Sequence, residues 1–486
     1  MEVHVHLASG LSCSVALPPE ARVGELEAEA QGRLERVCLR LAFGGQMLDP
    51  SSTLSEAGLQ HGDTIVAIAQ QPVKVASNAG AFALHIIGGK ARSWGNPVMG
   101  GASRQVRDQL VQVEQIQATE SAFAAILNDG SVVTWGSRRY GGDSSVVREQ
   151  LARVQQIQAT MYAFAAILDD SSVVTWGDAR NGGDSSQVRR QLVRVRQIQA
   201  ACKAFAAVLD DGSVVTWGDP DRGGDSSQVQ DKLVQVQQIQ ATQTAFAAIL
   251  KDGSVVTWGH PHHGGDSSQV QEQLVGVKQI QATAGAFAAI LGNGSVVSWG
   301  ADHCGGGASQ VKAQLVRVQH MQATTFAFAA ILDNGCVVTW GDSAAGGDSS
   351  DVEEQLVRVQ LIQATSRAFA AILDDGSAVT WGDEYFGGDS SQVQDQLVRV
   401  QQIQATQTAF AAILQDGSVV TWGNPEHGGD SSQVREQLVG VKQIQAASRA
   451  FVAILGNDSV VSWGAGSETT QVPEEFAADH QILAII

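Results

Sequence analysis

The chain has 486 residues, too many for one ordinary core, so it must either divide into several domains or extend a repeating architecture. Its formal net charge of -19 repels phosphate backbones and anionic lipid, which argues against nucleic-acid and membrane partners. The five cysteines, Cys13, Cys38, Cys202, Cys304 and Cys336, are odd in number and scattered, which fits reduced thiols in a cytoplasmic or nuclear setting. The opening "MEVHVHLASG" lacks a basic segment followed by an apolar one, and no apolar run approaches the ~20 residues of a membrane helix, so the expectation is a soluble, unsecreted protein.

Taken in chain order, "MEVHVHL" and "LSCSVAL" alternate apolar and polar residues around Ser9-Gly10, the pattern of a β-hairpin. A helical stretch is expected from Val23 to Leu34, then a strand and turn in "RLAFGGQMLDP" and a last strand in "DTIVAIA". This order resembles ubiquitin and its relatives, most visibly in "LAFGGQMLDPSSTLSEAGLQHGDTIVAI", and implies a β-grasp domain over residues 1–70. The segment runs on through Gln70-Gln71-Pro72 without a break, with no terminal Gly-Gly and no lysine before Lys74, so it is expected to be a built-in module that is never conjugated. By the resemblance, its recognition patch would be Leu7, Ala8, Ala42 and Ile68, where the small Ala42 offers little area to bury.

From residue 73 onward the chain repeats itself. All ten tryptophans, from Trp94 to Trp463, are followed by glycine and recur every 41 residues, a period that marks a solenoid, a propeller or an array. Each unit contains a strand of the "VQQIQAT" type, an apolar strand "AFAAIL" and a β-branched strand "SVVTWG", with Asp-Gly or Asn-Gly between the last two. Antiparallel pairing across that turn disfavours a parallel β-solenoid. The unbroken apolar run calls for a sheet covered on both faces, as in a propeller blade. A connector of the "GGDSSQVQDQL" type comes next, with its Asp-Ser-Ser as N-cap and one helical turn expected around Val393 and Leu397.

The "DGSVVTWG" hairpin, the Gly-Gly tip and the "V-x-x-I-x-A" strand together resemble the repeat of the regulator of chromosome condensation, whose fold is a β-propeller. The resemblance spans roughly residues 73–486 and implies a mainly β chain: a β-grasp domain followed by a propeller-like array of ten repeats. The family unit is usually longer, with four strands, and its ring usually has seven blades. A ten-bladed ring, a seven-bladed ring with extra units and an open spiral therefore all stay open. The end "QVPEEFAADHQILAII" continues the connector-and-strand pattern, so a surplus strand at Gln481-Ile482 is expected to pair near Val73 to Ser77 and fasten a ring.

Two places vary among the units. One is the pair before "AF", as in Met161-Tyr162 or Thr325-Phe326; the other is the four-residue tip after "WG", as in "SRRY", "DARN" or "DEYF". Variable loops on a rigid repeat frame are how such proteins build binding surfaces, and Arg138, Arg139, Tyr140, Met161, Tyr162, Arg180, Phe326, Tyr385 and Phe386 are the candidate protein-binding residues. His260, His262 and His263 with His303 and Cys304 are the nearest approach to a zinc site, but their spacing matches no established motif and no metal or cofactor is expected. Phosphate-loop, zinc-protease and nucleophile-elbow motifs are missing, so no enzyme is expected. Ubiquitin ligases that join such propellers to a catalytic HECT domain carry it C-terminally, and this chain ends inside its repeats. The leading expectation is a non-enzymatic scaffold linked to ubiquitin pathways. The alternatives are a substrate-recognition component of a ligase or an exchange factor for a small GTPase.

Overall fold

The computed structural model describes residues 2–7, 12–33, 39–43, 46–48, 52–55, 57–69, 73–86, 89–455 and 460–465. The chain divides into two compact units, one through Lys74 and one from Val75.

In the first unit, β1 (Glu2–Leu7) and β2 (Ser12–Ala16) form the antiparallel hairpin, with Val5 opposite Cys13. Helix α1 (Val23–Arg33) follows, then β3 (Leu39–Phe43), β4 (Gln46–Met47) and β5 (Thr64–Ala69). The sheet order is β2-β1-β5-β3-β4, with β1 and β5 parallel and the other pairs antiparallel. Strand alternation sends Val3, Val5, Val15, Leu41 and Ile65 to one face, and α1 covers them with Val23, Leu26 and Ala30, spaced to share one side of the helix.

The second unit is a succession of three-stranded antiparallel sheets, ten of them among the described residues, in a mainly β, propeller-like repeat. In the sheet of Val154–Ala159, Ala163–Leu168 and Val173–Gly177, the "AFAAIL" strand lies in the middle, and its first five residues are buried on both faces. The alanines let neighbouring sheets approach closely, while Phe164 stacks on Trp176 at 5.1 Å between ring centroids, a pairing that every sheet repeats. First strands of successive sheets contact one another in turn, so these strands form the inner edge of the array.

Three details depart from the sequence expectation. At the Asp-Gly hairpins only the glycine is left-handed: Gly130 has φ 75°, and Leu127 pairs with Ser131 around a three-residue loop. Each four-residue tip among the described residues is itself a single tight helical turn, such as Arg138–Tyr140, ended by a left-handed glycine, Gly141, with φ 95°. A Cβ on Gly141 would stand 2.5 Å from the Phe164 ring of the next sheet, so close packing and backbone angle both demand glycine there. The connector's expected helical turn is of the same tight kind, as at Arg148–Gln150, and the Asp143 carboxylate accepts from the Ser145 N–H as a turn cap.

Neighbouring sheets are stapled at three levels. The indole N–H of Trp176 donates to the carbonyl of Gly141 in the preceding tip at 3.0 Å, and this bond recurs from Trp135 to Trp463. At the hairpin end, the Val154 N–H donates to the Gly130 carbonyl, again sheet after sheet. At the tip end, residues on the inner edge donate to one another in a chain: Glu120 to Met161, Met161 to Cys202, and onward through Gln407 to Ser448. The Ser448 N–H then donates to the Ser77 hydroxyl of the first sheet at 3.3 Å, so the two ends of the array meet. The surplus strand expected at Gln481-Ile482 lies outside the described residues.

Candidate functional site

Both variable positions of the repeat lie at the same end of the array. In most units a threonine before the variable pair makes the join, alanine standing there at Ala201 and Ala447: Thr119 Oγ1 donates to the carbonyl of Tyr140, the last residue of its own tip, at 3.0 Å. Thr160, Thr242, Thr283, Thr324, Thr365 and Thr406 repeat the clamp. Asn78 takes the same part in the first sheet, donating to Met99. The first residue of each pair then sits on the inner hydrogen-bonded edge, and the second wedges between tips. The inner edge encloses an open depression of about 440 Å3, lined along one arc by uncharged groups such as Gln243, Thr325, Ser366, Gln407 and Ser448.

The candidate residues fall into three groups on this end. In the first, the Tyr140 and Tyr162 rings meet at 5.1 Å, the Arg139 guanidinium lies over Tyr140 and the Lys203 ammonium over Tyr162, each 5.7 Å from the centroid. Arg139 also pairs with Asp178 of the next tip at 3.2 Å, while Arg138 pairs with Asp143 and stays largely exposed. Met161 is 40% exposed on the inner edge beside this group, and Arg180 is exposed on the next tip. Burial and the neighbouring Glu120 carboxylate push the Tyr162 hydroxyl above its ordinary range, so it stays a protonated donor.

The second group is built around Arg367, whose guanidinium lies 5.6 Å from the centroid of Phe326 and 5.9 Å from that of Phe386, with Asp383 and Asp342 within 3.8 Å. The sequence marks Phe326 and Phe386 as interface anchors, but both are half-buried against the array's own core. Their first task is therefore to hold Arg367 in place. Tyr385, 59% exposed and edge-on to Phe386, is the free aromatic of this group.

The third group holds the histidines. His260 stands 4.5 Å from His263 and 5.9 Å from His262 between ring centroids, and His263 Nδ1 bonds the Thr244 hydroxyl at 2.8 Å. Burial and then the charge of His260 and His303 hold His263 below the ordinary imidazole range. His303 and the buried Cys304 lie on the following tip, and burial raises the Cys304 thiol. Among the described residues, no three histidine, cysteine or acidic side chains are arranged to hold a metal ion. The Thr244 hydroxyl takes up His263 Nδ1, while the buried Nδ1 of His260 has no hydrogen-bond partner.

In the first unit, positions 7, 42 and 68 lie on β1, β3 and β5, in register with Ala67, Val66 and Arg40 respectively. The side chains of Leu7, Ala42 and Ile68, and Ala8 as a whole, lie outside the described residues. No described helix is long and apolar enough to cross a membrane.

The sequence signals for the tip end are the two variable positions, but nothing in the linear spacing of Tyr140 and Tyr162 announces that they touch. The clamping threonines carry a detectable signal, a recurrent hydroxyl before a variable pair, which in the linear pattern looks like no more than the end of a strand.

No family model matches the chain, and no curated protein matches it. Solved structures with a similar arrangement include the computationally designed Ika8 protein, at 13% identity and TM-score 0.32, covering 64% of this chain and 96% of that one. Another is the CRINKLY WD40 ectodomain of the Arabidopsis thaliana receptor kinase ACR4, at 16% identity and TM-score 0.31, covering 56% of this chain and 96% of that one.

Proposed function

We propose that the protein is a non-enzymatic interaction scaffold whose repeat array grips a protein partner with its tip end. The observation that carries this is the convergence of both variable positions at one end, with Tyr140, Tyr162, Arg139 and Lys203 stacked as a cationic aromatic ridge. Amphipathic rings held rigid by their neighbours bury area at small entropic cost, and arginine and tyrosine are the side chains on which interface energy concentrates. The scaffold frame elsewhere is near-invariant from unit to unit, so selectivity is written where the units differ.

We further propose that residues 1–70 are a ubiquitin-like β-grasp module that links the scaffold to ubiquitin or proteasome machinery, with the array of ten repeats over residues 73–486 resembling that of the regulator of chromosome condensation. The order β2-β1-β5-β3-β4, with its one parallel pair beside α1, supports the first part. The test is cross-linking mass spectrometry on the full chain and on a Tyr140→Ala, Tyr162→Ala variant. Loss of cross-links from the tips, with those to residues 1–70 retained, supports the reading. Unchanged tip cross-links would sink it, as would discharge of a ubiquitin thioester by the purified chain alone.

A further inference from the structure

The fifth tip, His260 to His263, is held differently from its neighbours. In the tips of the third, fourth, seventh, eighth and ninth sheets the first residue is an aspartate or asparagine whose side chain accepts from the backbone N–H two residues on: Asp178, Asp219, Asp342, Asp383 and Asn424. His260 takes that place with nearly the same backbone angles, φ -65° and ψ 117°, and makes no cap bond. Its ring instead meets that of His263, 4.5 Å away between centroids, and its Nδ1 is buried without a hydrogen-bond partner. The ninth tip is the natural counterpart. Pro425 and His427 match Pro261 and His263, and His427 Nδ1 bonds the Thr408 hydroxyl as His263 Nδ1 bonds that of Thr244, but there Asn424 caps the turn.

The groups around this imidazole pair come from three tips. His262 lies 5.9 Å from His260 on the same tip, Arg222 is on the preceding tip, where it reaches Asp219 at 3.6 Å, and His303 is on the following one with Asp302 and the buried Cys304. Among the described residues the charges that act on His263 are those of His260, His303, Arg222 and His262, all cationic, and they add to the burial that already disfavours its protonation. A proton taken up by His260 sets one more positive charge in this group and leaves a buried Nδ1–H without an acceptor. Both penalties vanish when the ring swings into water. We propose that the fifth tip is an acid-triggered latch: protonation of His260 breaks the imidazole pair that stands in for a cap, and the loosened tip weakens the grip of the tip end on its partner. The release step rests on the tip end being the gripping end; the opening of the tip does not.

Amide exchange on the full chain, expressed as protection factors so that the intrinsic pH dependence drops out, compares the two tips in one sample. The N–H groups of His263, Gly264 and Gly265 donate to the carbonyls of the first and second tip residues, as do those of His427, Gly428 and Gly429. Between pH ~7.5 and pH ~5 the protection of the first set relative to the second should fall at least about tenfold. His260→Asn, which writes the ninth tip's cap into the fifth, should abolish that fall. A ratio that does not change with pH overturns the proposal, and so does a fall that persists in His260→Asn. Cross-links from the tips to a partner should weaken at pH ~5 in the unmodified chain and persist in the variant; cross-links indifferent to pH overturn the release step. If the tips give none even at neutral pH, it is the scaffold reading that fails, and the exchange ratio still decides the latch.

Discussion

Ser171 occupies the place that glycine holds in sister hairpins, with φ 63° where Gly130, Gly212 and Gly253 have 75° to 78°. A non-glycine residue in that region costs on the order of 1 kcal/mol, part of which glycine gives back through the entropy of the unfolded chain. Ser171→Gly should therefore stabilise the array by up to about 1 kcal/mol in denaturant titration. Gly212→Ser should destabilise it by more, because a Cβ there would lie 2.7 Å from the Gln235 backbone. A second single-residue effect concerns His263 and His427, both held below the ordinary imidazole range chiefly by burial, each with Nδ1 on a threonine hydroxyl. A folded-state value below the unfolded one means that the unfolded chain binds protons first, so stability is full above pH ~6.5 and falls as pH drops through the folded values. The melting temperature should decline between neutral pH and pH ~5, and replacing both histidines by asparagine should flatten that slope. A slope unchanged by the double substitution would assign the titration to other groups.

Between elements, the recurrent staple is the indole N–H of each tryptophan on the glycine carbonyl of the preceding tip. The first sheet departs from this rule: the Trp94 indole N–H is buried without an acceptor, although its ring still stacks on Phe82. Trp258→Phe should lose a hydrogen bond and leave the Gly223 carbonyl unmet, costing about 1–3 kcal/mol beyond the change in ring size. Trp94→Phe removes an unsatisfied donor, so it should cost markedly less. Equal losses in the two variants would refute the staple's contribution. At this scale much is legible in the sequence: the middle strand's double burial from "AFAAIL", the hairpin from Asp-Gly, and the order of elements in the first unit. The staples are not, because an indole and a glycine 35 residues apart become partners only when sheets stack in order. The left-handed Arg153 or Arg358 is also hidden, since an arginine among polar residues reads as ordinary surface and its backbone angle is set by the preceding hairpin. The candidate site is half legible: its positions stand out by variation, but Phe326 and Phe386 look free in the sequence and are largely spent on holding Arg367.

For the array as a whole, the question is what the meeting of its ends is worth. Each interior junction from the second sheet onward has its indole staple, its hairpin staple and its inner-edge bond, and in a nearest-neighbour array stability is close to the sum of such junctions. The junction of last sheet with first has the Ser448–Ser77 bond, but Trp94 receives nothing. The sequence supplies a reason. Where the preceding unit reads Asn424-Pro425-Glu426-His427-Gly428-Gly429, the last reads Ala465-Gly466-Ser467-Glu468-Thr469-Thr470, with threonine in the place of the glycine whose carbonyl the next tryptophan takes. Threonine is a poor occupant of the left-handed angle that Gly428 adopts, φ 100°, and a Cβ there would meet the Phe451 ring of the next sheet at 2.6 Å. Rewriting residues 465–470 as Asn-Pro-Glu-His-Gly-Gly should supply the missing acceptor at this junction. Satisfying one buried donor is worth about 1–3 kcal/mol, and because the seam is where an annular array would open first, the gain should appear as a higher, sharper melting transition. The Trp94 indole proton gives the direct readout: in the rewritten chain it should exchange as slowly as that of Trp135. Exchange at the original rate, with the transition unmoved, would mean that the ends meet too loosely for a tip to bridge them.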